Sequence, residues 1–250
     1  MSQLAHIQTS DLLAEEGSLP PEPLGLELPP DLHVAAFDIS DLGAVIEALS
    51  GFCSESELPA RFARKRRAEY LAGRCAASRA LSELGIGSRV GRAMDGLPAW
   101  PPGVVGSITH GAGVACAAVA LADRYRALGI DIERVLEDAE SSELWPSIAH
   151  TDELLLLKSA LPYTRLGQRL SVLFSAKESL FKALFPLTHE FLEFCDVRLV
   201  SVGMGSRYQG LLMFRLERSI DSEFASGSTY RARFFLGPER IESAVMLRSG

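Results

Sequence analysis

Two carboxylates lie one residue apart in the apolar segment "GIDIE", at Asp131 and Glu133. Because side chains alternate between the two faces of a strand, both carboxylates would point the same way while Ile130 and Ile132 point into the core. Paired hard oxygen donors suit Mg²⁺, which proteins hold with a few carboxylates, phosphates and waters. A strand whose acidic face lies in water gives the same pattern. The segment alone therefore predicts either a magnesium site or a solvated strand face.

A third carboxylate lies in the segment "FSAKESLFKALFP", whose charged residues are Lys177, Glu178 and Lys182. Apolar residues cover most of its helical surface, so we predict a helix that packs on more than one side. Glu178 and Lys182 are four residues apart, which fits an ordinary ion pair on a helix surface worth roughly a few tenths of a kcal/mol. A charge on so apolar a helix also needs a partner or a function, which favours a site.

A basic segment, "RFARKRR", precedes Arg74 on a predicted helix. Arg67 and Arg74 are seven residues apart and share a helical face, with Arg66 beside it. Guanidinium groups bind phosphate through paired N–H donors, although such a segment also fits a solvated helix face. Further along, "GSITHGAG" combines small residues, two hydroxyls and His110 in a predicted turn that is suited to cradling phosphate.

The first half of the chain is predicted to alternate between strands and helices. Residues 17–30 are rich in proline and predict extended backbone. "DLHVAAFDI" predicts a strand, and Asp41 is expected to cap the short helix after it. Helical spacing runs from Glu57 to Leu84, with Gly85 as the stop. The predicted loop is "GLPAWPPGVVGSITHGAG", and the predicted strands after it are "VACAAVAL" and "LGIDIERV".

The second half begins with helical sequence and ends with strands. The helical part is predicted to break at Pro146 and Pro162. The predicted strands are "FCDVRLVSV", "GLLMFRLER", "YRARFFL" and "RIESAVML". Helices grouped between sets of antiparallel strands indicate an α+β fold, and the likeness of "VACAAVAL" to "ESAVML" hints at two similar subdomains.

Composition restricts the class of function. The chain has 250 residues, 47% of them hydrophobic, and a net charge of -7, which argues against a protein that binds nucleic acid through a broad basic surface. The four cysteines never form a C-x-x-C pair, so neither a zinc site nor a disulfide framework is indicated. The N-terminus lacks a signal-peptide pattern and "GVACAAVALA" is too short to cross a bilayer, so we expect a cytoplasmic protein that binds no membrane.

Taken in order, several segments resemble the 4'-phosphopantetheinyl transferase superfamily, in its Sfp-type, enterobactin synthase component D-like branch. They are "RKRRAEYLAGR" (64–74), "GLPAWPPGVVGSITH" (96–110), "GIDIE" (129–133), "FSAKESLFKALFPLT" (174–188) and "FLEFCDVRL" (191–199). The resemblance implies a monomer of two similar α/β subdomains related by pseudo-two-fold symmetry. We expect a flexible N-terminal segment at 1–30, an N-terminal subdomain at 31–123, and a C-terminal subdomain at 124–250 that carries the metal-binding and catalytic residues.

The same resemblance implies a role for each matching residue. Asp131, Glu133 and Glu178 match the acidic triad that binds Mg²⁺ on the pyrophosphate of coenzyme A. Glu178 also matches the general base for the acceptor serine, and Lys182 matches the lysine on the pyrophosphate, so both are expected to be catalytic. The expected coenzyme A contacts are Arg66, Arg74, Arg92, Ser107, His110, Asp131, Lys177 and Lys182, of which Arg92 stands where relatives often carry a lysine.

The implied reaction moves 4'-phosphopantetheine from coenzyme A to a serine of an apo acyl or peptidyl carrier protein, giving holo-carrier and 3',5'-ADP. Displacement at phosphorus needs charge neutralisation on the leaving group and a base beside the serine, which fits the roles of Mg²⁺, Lys182 and Glu178. Two alternatives stay open on the sequence alone. They are a non-catalytic module that binds coenzyme A and a Mg²⁺-dependent phosphohydrolase.

Overall fold

The computed structural model describes residue 22, residues 24–49 and residues 63–250. The helices are α1 (Leu42–Ala48), α2 (Arg64–Glu83), α3 (Asp138–Ile148), α4 (Thr151–Ala160) and α5 (Leu166–Thr188). The strands are β1 (His33–Asp38), β2 (Gly91–Arg92), β3 (Pro98–Ala99), β4 (Val104–Gly111), β5 (Val114–Leu121), β6 (Tyr125–Arg134), β7 (Val197–Met204), β8 (Gln209–Leu216), β9 (Thr229–Leu236) and β10 (Arg240–Arg248). The predicted mixture of helices and strands is confirmed, whereas the pseudo-two-fold symmetry stays a prediction.

The first sheet has three antiparallel strands in the order β1-β5-β4. Helix α2 packs against all three strands, and α1 packs against α2. Asp41 caps α1 as predicted, because its side chain accepts hydrogen bonds from two N–H groups of the first turn. Helix α2 ends at the predicted stop, where Gly85 has a φ of 82°. The predicted start of this helix at Glu57 lies outside the described residues.

The second sheet has five antiparallel strands in the order β6-β10-β9-β8-β7. Its last four strands along the chain are the four that the sequence predicts. Helix α5 covers β6, β9 and β10, while α4 packs on β7 and α3 packs on α5. The core between them holds fully buried side chains such as Phe214, Phe234, Leu173 and Leu180. Within the described ranges, no helix is long and apolar enough to cross a membrane.

The prediction that "GLPAWPPGVVGSITHGAG" is a loop is wrong, because the segment contains the short strand β3 and the eight-residue strand β4. Its glycines and hydroxyl residues hide the strand pattern, since the buried side of β4 carries Ser107 and Thr109 in place of large apolar residues. Both hydroxyls bond to a neighbouring strand, which makes their burial acceptable. Ser107 and His110 therefore lie on a strand and not in a turn.

The predicted helix break at Pro146 is also wrong. Pro146 lies inside α3, which continues to Ile148. A proline this close to the end of a helix removes only one late hydrogen bond, so the helix tolerates it. Pro162 does fall between α4 and α5, as the sequence predicts.

The two sheets meet where β4 lies beside β6. The Ile130 N–H donates to Ser107 Oγ at 3.0 Å, and the Ile132 N–H donates to Thr109 Oγ1 at 3.3 Å. The equal offset of the two pairs shows that the strands run in the same direction. A Cβ on Gly111 would lie 1.9 Å from the Ile132 carbonyl oxygen. Small and hydroxyl residues thus allow β4 to approach β6 closely.

Helix α5 crosses β6 at Gly129. A Cβ at this position would lie 1.9 Å from the Ser179 carbonyl oxygen and 2.7 Å from the Ala183 nitrogen. The missing side chain therefore lets the backbone of the helix contact the backbone of the strand. Since Glu178 and Lys182 flank this crossing, the glycine of "GIDIE" brings the charged residues of the helix beside the carboxylates of the strand.

The residues that precede β1 form an arm, residues 24–28, across the junction of the two sheets. Its Leu24, Leu26 and Leu28 share a cluster with residues from both sheets, namely Ala36, Val114, Cys116, Ala118, Ile130, Ile132 and Ala244. The Leu26 N–H donates to the buried carboxylate of Glu242 at 2.8 Å. Of the predicted flexible segment 1–30, residues 1–21 and 23 lie outside the described residues. The subdomain boundary at residues 123 and 124 stays a prediction.

Candidate active site

Asp131 lies in the interior at the junction of the sheets. Its side chain is 3% exposed, and Oδ1 accepts from Lys182 Nζ at 2.6 Å and from Thr109 Oγ1 at 3.1 Å. The second oxygen, Oδ2, is buried and makes no hydrogen bond within the part of the chain that the structure describes. A buried carboxylate oxygen without a donor is costly unless a ligand supplies positive charge. The interpretation of this strand face as solvated is therefore wrong for Asp131.

Glu133 and Glu178 complete a cluster of carboxylates around Asp131. Burial raises the pKa of Glu133 to about 7, and the negative charges of Asp131 and Glu178 add to this effect while Lys182 opposes it. Burial also raises the pKa of Glu178, where Lys182 opposes the effect and Asp131 adds to it. These three predicted metal ligands, which we call the carboxylate cluster, are thus close enough for the charge of Asp131 to act on both glutamates.

Lys182 lies on the helical side of this cluster. Its Nζ donates to Asp131 Oδ1 at 2.6 Å, to Thr109 Oγ1 at 3.1 Å and to the Ile130 carbonyl oxygen at 3.3 Å. Within the described residues its ion pair is with Asp131 and not with Glu178, so the interpretation as a pair along the helix surface is wrong. All three N–H donors thus have acceptors within the described residues, and because the side chain is 27% exposed, an anion can replace one of these acceptors.

The chemistry of this carboxylate cluster fits a hard divalent cation. Carboxylate oxygens are the donors that Mg²⁺ prefers, and phosphate and water usually complete its coordination. Asp131 Oδ2 is available as a metal ligand, and the positive charge of a cation would offset the burial and the mutual repulsion that raise the pKa of Glu133 and Glu178. Among the described side chains, no three histidine, cysteine or acidic residues already surround one point as metal ligands. Any cation would thus need ligands from its substrate or from water as well.

Arg66 on α2 and His110 on β4 lie close together near the sheet junction. With Arg74, further along α2, we call them the basic group. Arg66 Nη1 contacts His110 Nε2, and a Glu69 oxygen lies 3.8 Å from Arg66 Nη1 and 3.6 Å from His110 Nδ1. Burial lowers the pKa of His110, with Glu69 opposing the effect and Arg66 adding to it. The imidazole is therefore neutral at neutral pH and offers one N–H donor. Arg66 and His110, both predicted phosphate contacts, are brought together.

Arg74 lies further along α2 and is only 5% exposed. Its guanidinium carbon lies 4.9 Å from the centre of the Tyr70 ring, and Nη1 makes no hydrogen bond to any described residue. A buried guanidinium nitrogen without an acceptor is suited to an anion. The alternative of a solvated helix face fits Lys65, whose side chain is 77% exposed, and does not fit Arg74.

Three other predicted contacts occupy different surroundings. The buried Ser107 uses its oxygen to accept from the Ile130 N–H, so this hydroxyl joins the two sheets. Arg92 is exposed on β2 with its guanidinium beside Gly96. Lys177 is buried and its ammonium bonds to acceptors inside the protein. Ligand contacts by these three residues stay predictions.

Two residues of the site were not among the predicted ones. Thr109 links Asp131, Lys182 and β6, and its position two residues from Ser107 would have indicated this role if "SITH" had been interpreted as a strand. Glu69 lies between Arg66 and His110, and its signal was the spacing of three residues from Arg66 on one helix.

Two cavities flank α5 on either side of Phe181, which lines both. The first has a volume of about 190 Å³, and Ser107 and Lys182 are among its lining residues. The second has a volume of about 160 Å³, and Glu178 and Phe191 are among its lining residues. The charged groups of α5 therefore stand beside spaces with largely apolar walls, as in binding sites that orient a ligand with a few polar groups.

Two family models match the chain. Residues 54–120 match the 4'-phosphopantetheinyl transferase N-terminal domain, and residues 127–232 match the 4'-phosphopantetheinyl transferase superfamily. The first match includes α2 and β4, which carry the basic group. The second includes α5 and most of β6, which carry the carboxylate cluster.

Curated proteins with similar sequences bear related names. The chain is 34% identical over 200 residues to the 4'-phosphopantetheinyl transferase Npt of Nocardia iowensis, an alignment that covers 78% of this chain and 86% of that protein. It is 33% identical over 199 residues to the 4'-phosphopantetheinyl transferase PptT of Mycobacterium tuberculosis, covering 77% and 84%. It is 45% identical over 122 residues to enterobactin synthase component D of Salmonella typhimurium. That alignment covers 48% of this chain and 49% of the relative, which is about half the length of each.

Proposed function

Because the chain belongs to the 4'-phosphopantetheinyl transferase superfamily, we propose that it transfers 4'-phosphopantetheine from coenzyme A to a serine of an apo acyl or peptidyl carrier protein. The products are the holo-carrier and 3',5'-ADP. The observation that supports this most is the closeness of an acidic and a basic group of residues at the β4–β6 junction. Thr109, the residue before His110, bonds to both Asp131 and Lys182, so the acidic and basic groups are near neighbours. A diphosphate with a bound cation needs acidic residues as ligands of the cation and basic residues as donors to its phosphate oxygens.

Mg²⁺ is the cofactor of this proposal, with Asp131, Glu133 and Glu178 as its protein ligands. When bound, it neutralises negative charge on the pyrophosphate of coenzyme A and on the leaving group. Asp131 contributes the oxygen that makes no hydrogen bond to the described residues, so binding does not need to break an existing bond.

The basic residues hold the phosphates of coenzyme A. Lys182, whose side chain is partly exposed beside the carboxylate cluster, contacts the pyrophosphate in exchange for one of its present acceptors. Arg66, Arg74 and His110 bind the 3'-phosphate and the adenosine end, where the buried Nη1 of Arg74 gains an acceptor. Placing charged donors around the phosphates in a partly buried site makes each bond stronger than it would be in water.

Glu178 acts as the general base. It accepts the proton of the serine hydroxyl, directly or through a water, while the serine oxygen bonds to the phosphorus that carries pantetheine. The bond from this phosphorus to the bridging oxygen breaks, and the electron pair leaves with 3',5'-ADP. Glu178 lines a cavity beside α5, where a serine hydroxyl or a water can come within reach of its carboxylate.

The proposal extends to the setting of the enzyme. We expect a monomer that acts in the cytoplasm on small acidic carrier proteins or carrier domains. Carriers of siderophore or other secondary metabolite synthesis are the first to test, because relatives are named enterobactin synthase component D.

Mass spectrometry of a carrier tests the transfer directly. The protein is incubated with coenzyme A, Mg²⁺ and each member of a panel of apo-carriers that includes acyl and peptidyl types. We expect at least one carrier to gain the mass of one phosphopantetheine, and a serine-to-alanine carrier to gain none. No mass gain on any carrier, with an enzyme that shows a cooperative melt, would overturn the proposal.

The same assay separates the two alternatives. A phosphohydrolase releases 3',5'-ADP without any carrier, so its product forms at the same rate when the carrier is omitted. A binding module retains coenzyme A and changes no carrier, and Glu178→Gln leaves its behaviour intact. A transferase releases 3',5'-ADP in step with carrier modification.

A further inference from the structure

The ammonium of Lys177 is enclosed by the protein. Its side chain is 2% exposed, and Nζ donates to the Ile148 carbonyl oxygen at 3.0 Å and to the Phe194 carbonyl oxygen at 2.9 Å. The third partner is Glu153, whose Oε1 lies 3.0 Å away. An ammonium has three N–H donors, and here each has an acceptor. What separates Lys177 from Lys182, whose ammonium also has three acceptors, is that the Lys177 side chain is closed off from solvent.

Glu153 extends these contacts to the start of α4 and to strand β7 of the second sheet. Its side chain is fully buried, Oε2 accepts from the His150 N–H at 2.7 Å, and Oε1 accepts from the Leu199 N–H at 2.7 Å. The pair of Glu153 and Lys177 thus connects the end of α3, the start of α4 and strand β7 to α5. We call these two side chains the α5 anchor.

Lys177 of the α5 anchor lies immediately before the proposed base, Glu178. Consecutive residues of an α-helix point about 100° apart, so the inward direction of Lys177 fixes the direction of Glu178. Phe194, whose carbonyl oxygen accepts from Lys177, also lines the smaller cavity beside Glu178. The anchor therefore sets both the rotation of α5 about its axis and the distance from Glu178 to the opposite wall of that cavity.

We infer that Lys177 and Glu153 are positioning residues for Glu178, an inference that rests on the proposed transferase function. Stability alone is a weak reason for such a pair, because apolar replacements of a buried ion pair are often neutral or stabilising. An ion pair with directional bonds to four backbone groups differs from an apolar contact in fixing one orientation.

Two variants test the inference. Glu153→Gln with Lys177→Met removes both charges together, so that neither is left buried alone. Lys177→Arg keeps the charge but changes the reach and the shape of the donor group. We expect kcat to fall on the order of a hundredfold in the double variant, because a misplacement of a catalytic group by about 1 Å costs about that factor. In Lys177→Arg we expect a smaller fall of about tenfold, because the charge is kept. KM for coenzyme A should stay within about threefold, since the phosphate contacts are on other residues.

Glu242→Gln provides a matched control. Glu242 is also a buried carboxylate that accepts from a backbone N–H, that of Leu26, and from the guanidinium of Arg240. We expect its melting temperature to fall while kcat stays within about twofold. Cooperatively folded anchor variants with an unchanged kcat would overturn the inference, as would loss of cooperative melting in both, which would assign the anchor to folding alone.

Amide hydrogen exchange without coenzyme A separates this inference from the proposed function. We expect faster exchange in residues 176–182 and 191–196 of the anchor variants than in the parent protein, and not in Glu242→Gln. This result would hold even if the parent protein failed to modify every carrier. Unchanged exchange in both segments would overturn the positioning role while leaving the transferase proposal in place.

Discussion

Two lysines of helix α5 each pair with a carboxylate of another element, and the two pairs differ in how completely their polar atoms are hydrogen-bonded. In the pair of Lys177 and Glu153, the side chains are 2% and 0% exposed, and both carboxylate oxygens have partners. In the pair of Lys182 and Asp131, the lysine is 27% exposed and one carboxylate oxygen makes no hydrogen bond to any described residue. The two lysines, Lys177 and Lys182, are only five residues apart on this helix.

The difference distinguishes scaffold from site. A buried polar network whose members are all bonded is rigid and has no capacity for a ligand. A buried carboxylate oxygen without a hydrogen bond destabilises the folded state. We expect such an atom to be kept only where ligand binding or catalysis depends on it. The same criterion identifies Arg74 on the other side of the junction, because its Nη1 is buried without an acceptor among the described residues.

Asp131→Ala tests most directly whether the pair of Lys182 and Asp131 belongs to the active site. We expect the rate of carrier modification to fall on the order of a thousandfold, because the variant loses a cation ligand and the partner of Lys182. The melting temperature should change little, since the lost carboxylate was only partly satisfied and Lys182 can be hydrated. Carrier mass spectrometry and a thermal melt measure the two effects. A large loss of stability would place Asp131 with the scaffold.

Glu178→Gln should have the next largest effect. Removal of a general base costs about a hundredfold or more in kcat, whereas the amide keeps the size of the side chain. Binding of coenzyme A, measured by calorimetry, should stay within about tenfold. Glu143→Gln, at an exposed position on α3, serves as the control and should keep the parent rate. A Glu178→Gln variant with the parent kcat would exclude Glu178 as the base.

Arg74→Met extends the comparison to the basic group. We expect KM for coenzyme A to rise about tenfold or more, as is typical for losing a hydrogen bond to a charged group. KM for 3'-dephospho-coenzyme A should not change, because that substrate lacks the phosphate in question. Lys65→Met removes an exposed cation from the same helix and should change either KM less than about twofold. Equal increases for both substrates would move Arg74 away from the 3'-phosphate.

Gly129→Ala tests the contact that brings both pairs into place. The added Cβ would meet the Ser179 carbonyl oxygen at 1.9 Å, so α5 must move away from β6. We expect the free energy of unfolding to fall by about 1–3 kcal/mol, which is the usual cost of overpacking. Gly203→Ala on β7 is the control, because nothing lies within 4 Å of its added Cβ. Equal stability of the two variants in urea would show that α5 can shift without cost.

The sequence predicts those parts of the site that depend on local pattern. Strand alternation correctly places Ile130 and Ile132 in the core and the carboxylates of "GIDIE" on the other face. Strand β4 was missed because its inward residues are hydroxyls and glycines, whose burial depends on N–H donors from a distant strand. The spacing of apolar residues does not reveal a strand whose buried side is made of hydroxyl residues and glycines.

The surroundings of Lys177 and Lys182 could not be predicted, because their partners are far away in the sequence. Lys177 matches a family motif, but the acceptor that decides its surroundings, Glu153, lies 24 residues away on another helix. Lys182 has a carboxylate four residues away on its own helix, yet it pairs with Asp131 across 51 residues. Local spacing predicts the nearest candidate partner, whereas tertiary packing selects the actual one.

The arm of residues 24–28 has a consequence for how the protein folds. Leu26 precedes β1, yet its cluster includes Ile132 of β6 and Ala244 of β10. Neither sheet can complete this cluster while the other half of the chain is unfolded, so we expect the two halves to unfold in a single cooperative transition. A chain cut between β5 and β6 would have to bring this cluster together by bimolecular association, and its stability would then depend on protein concentration.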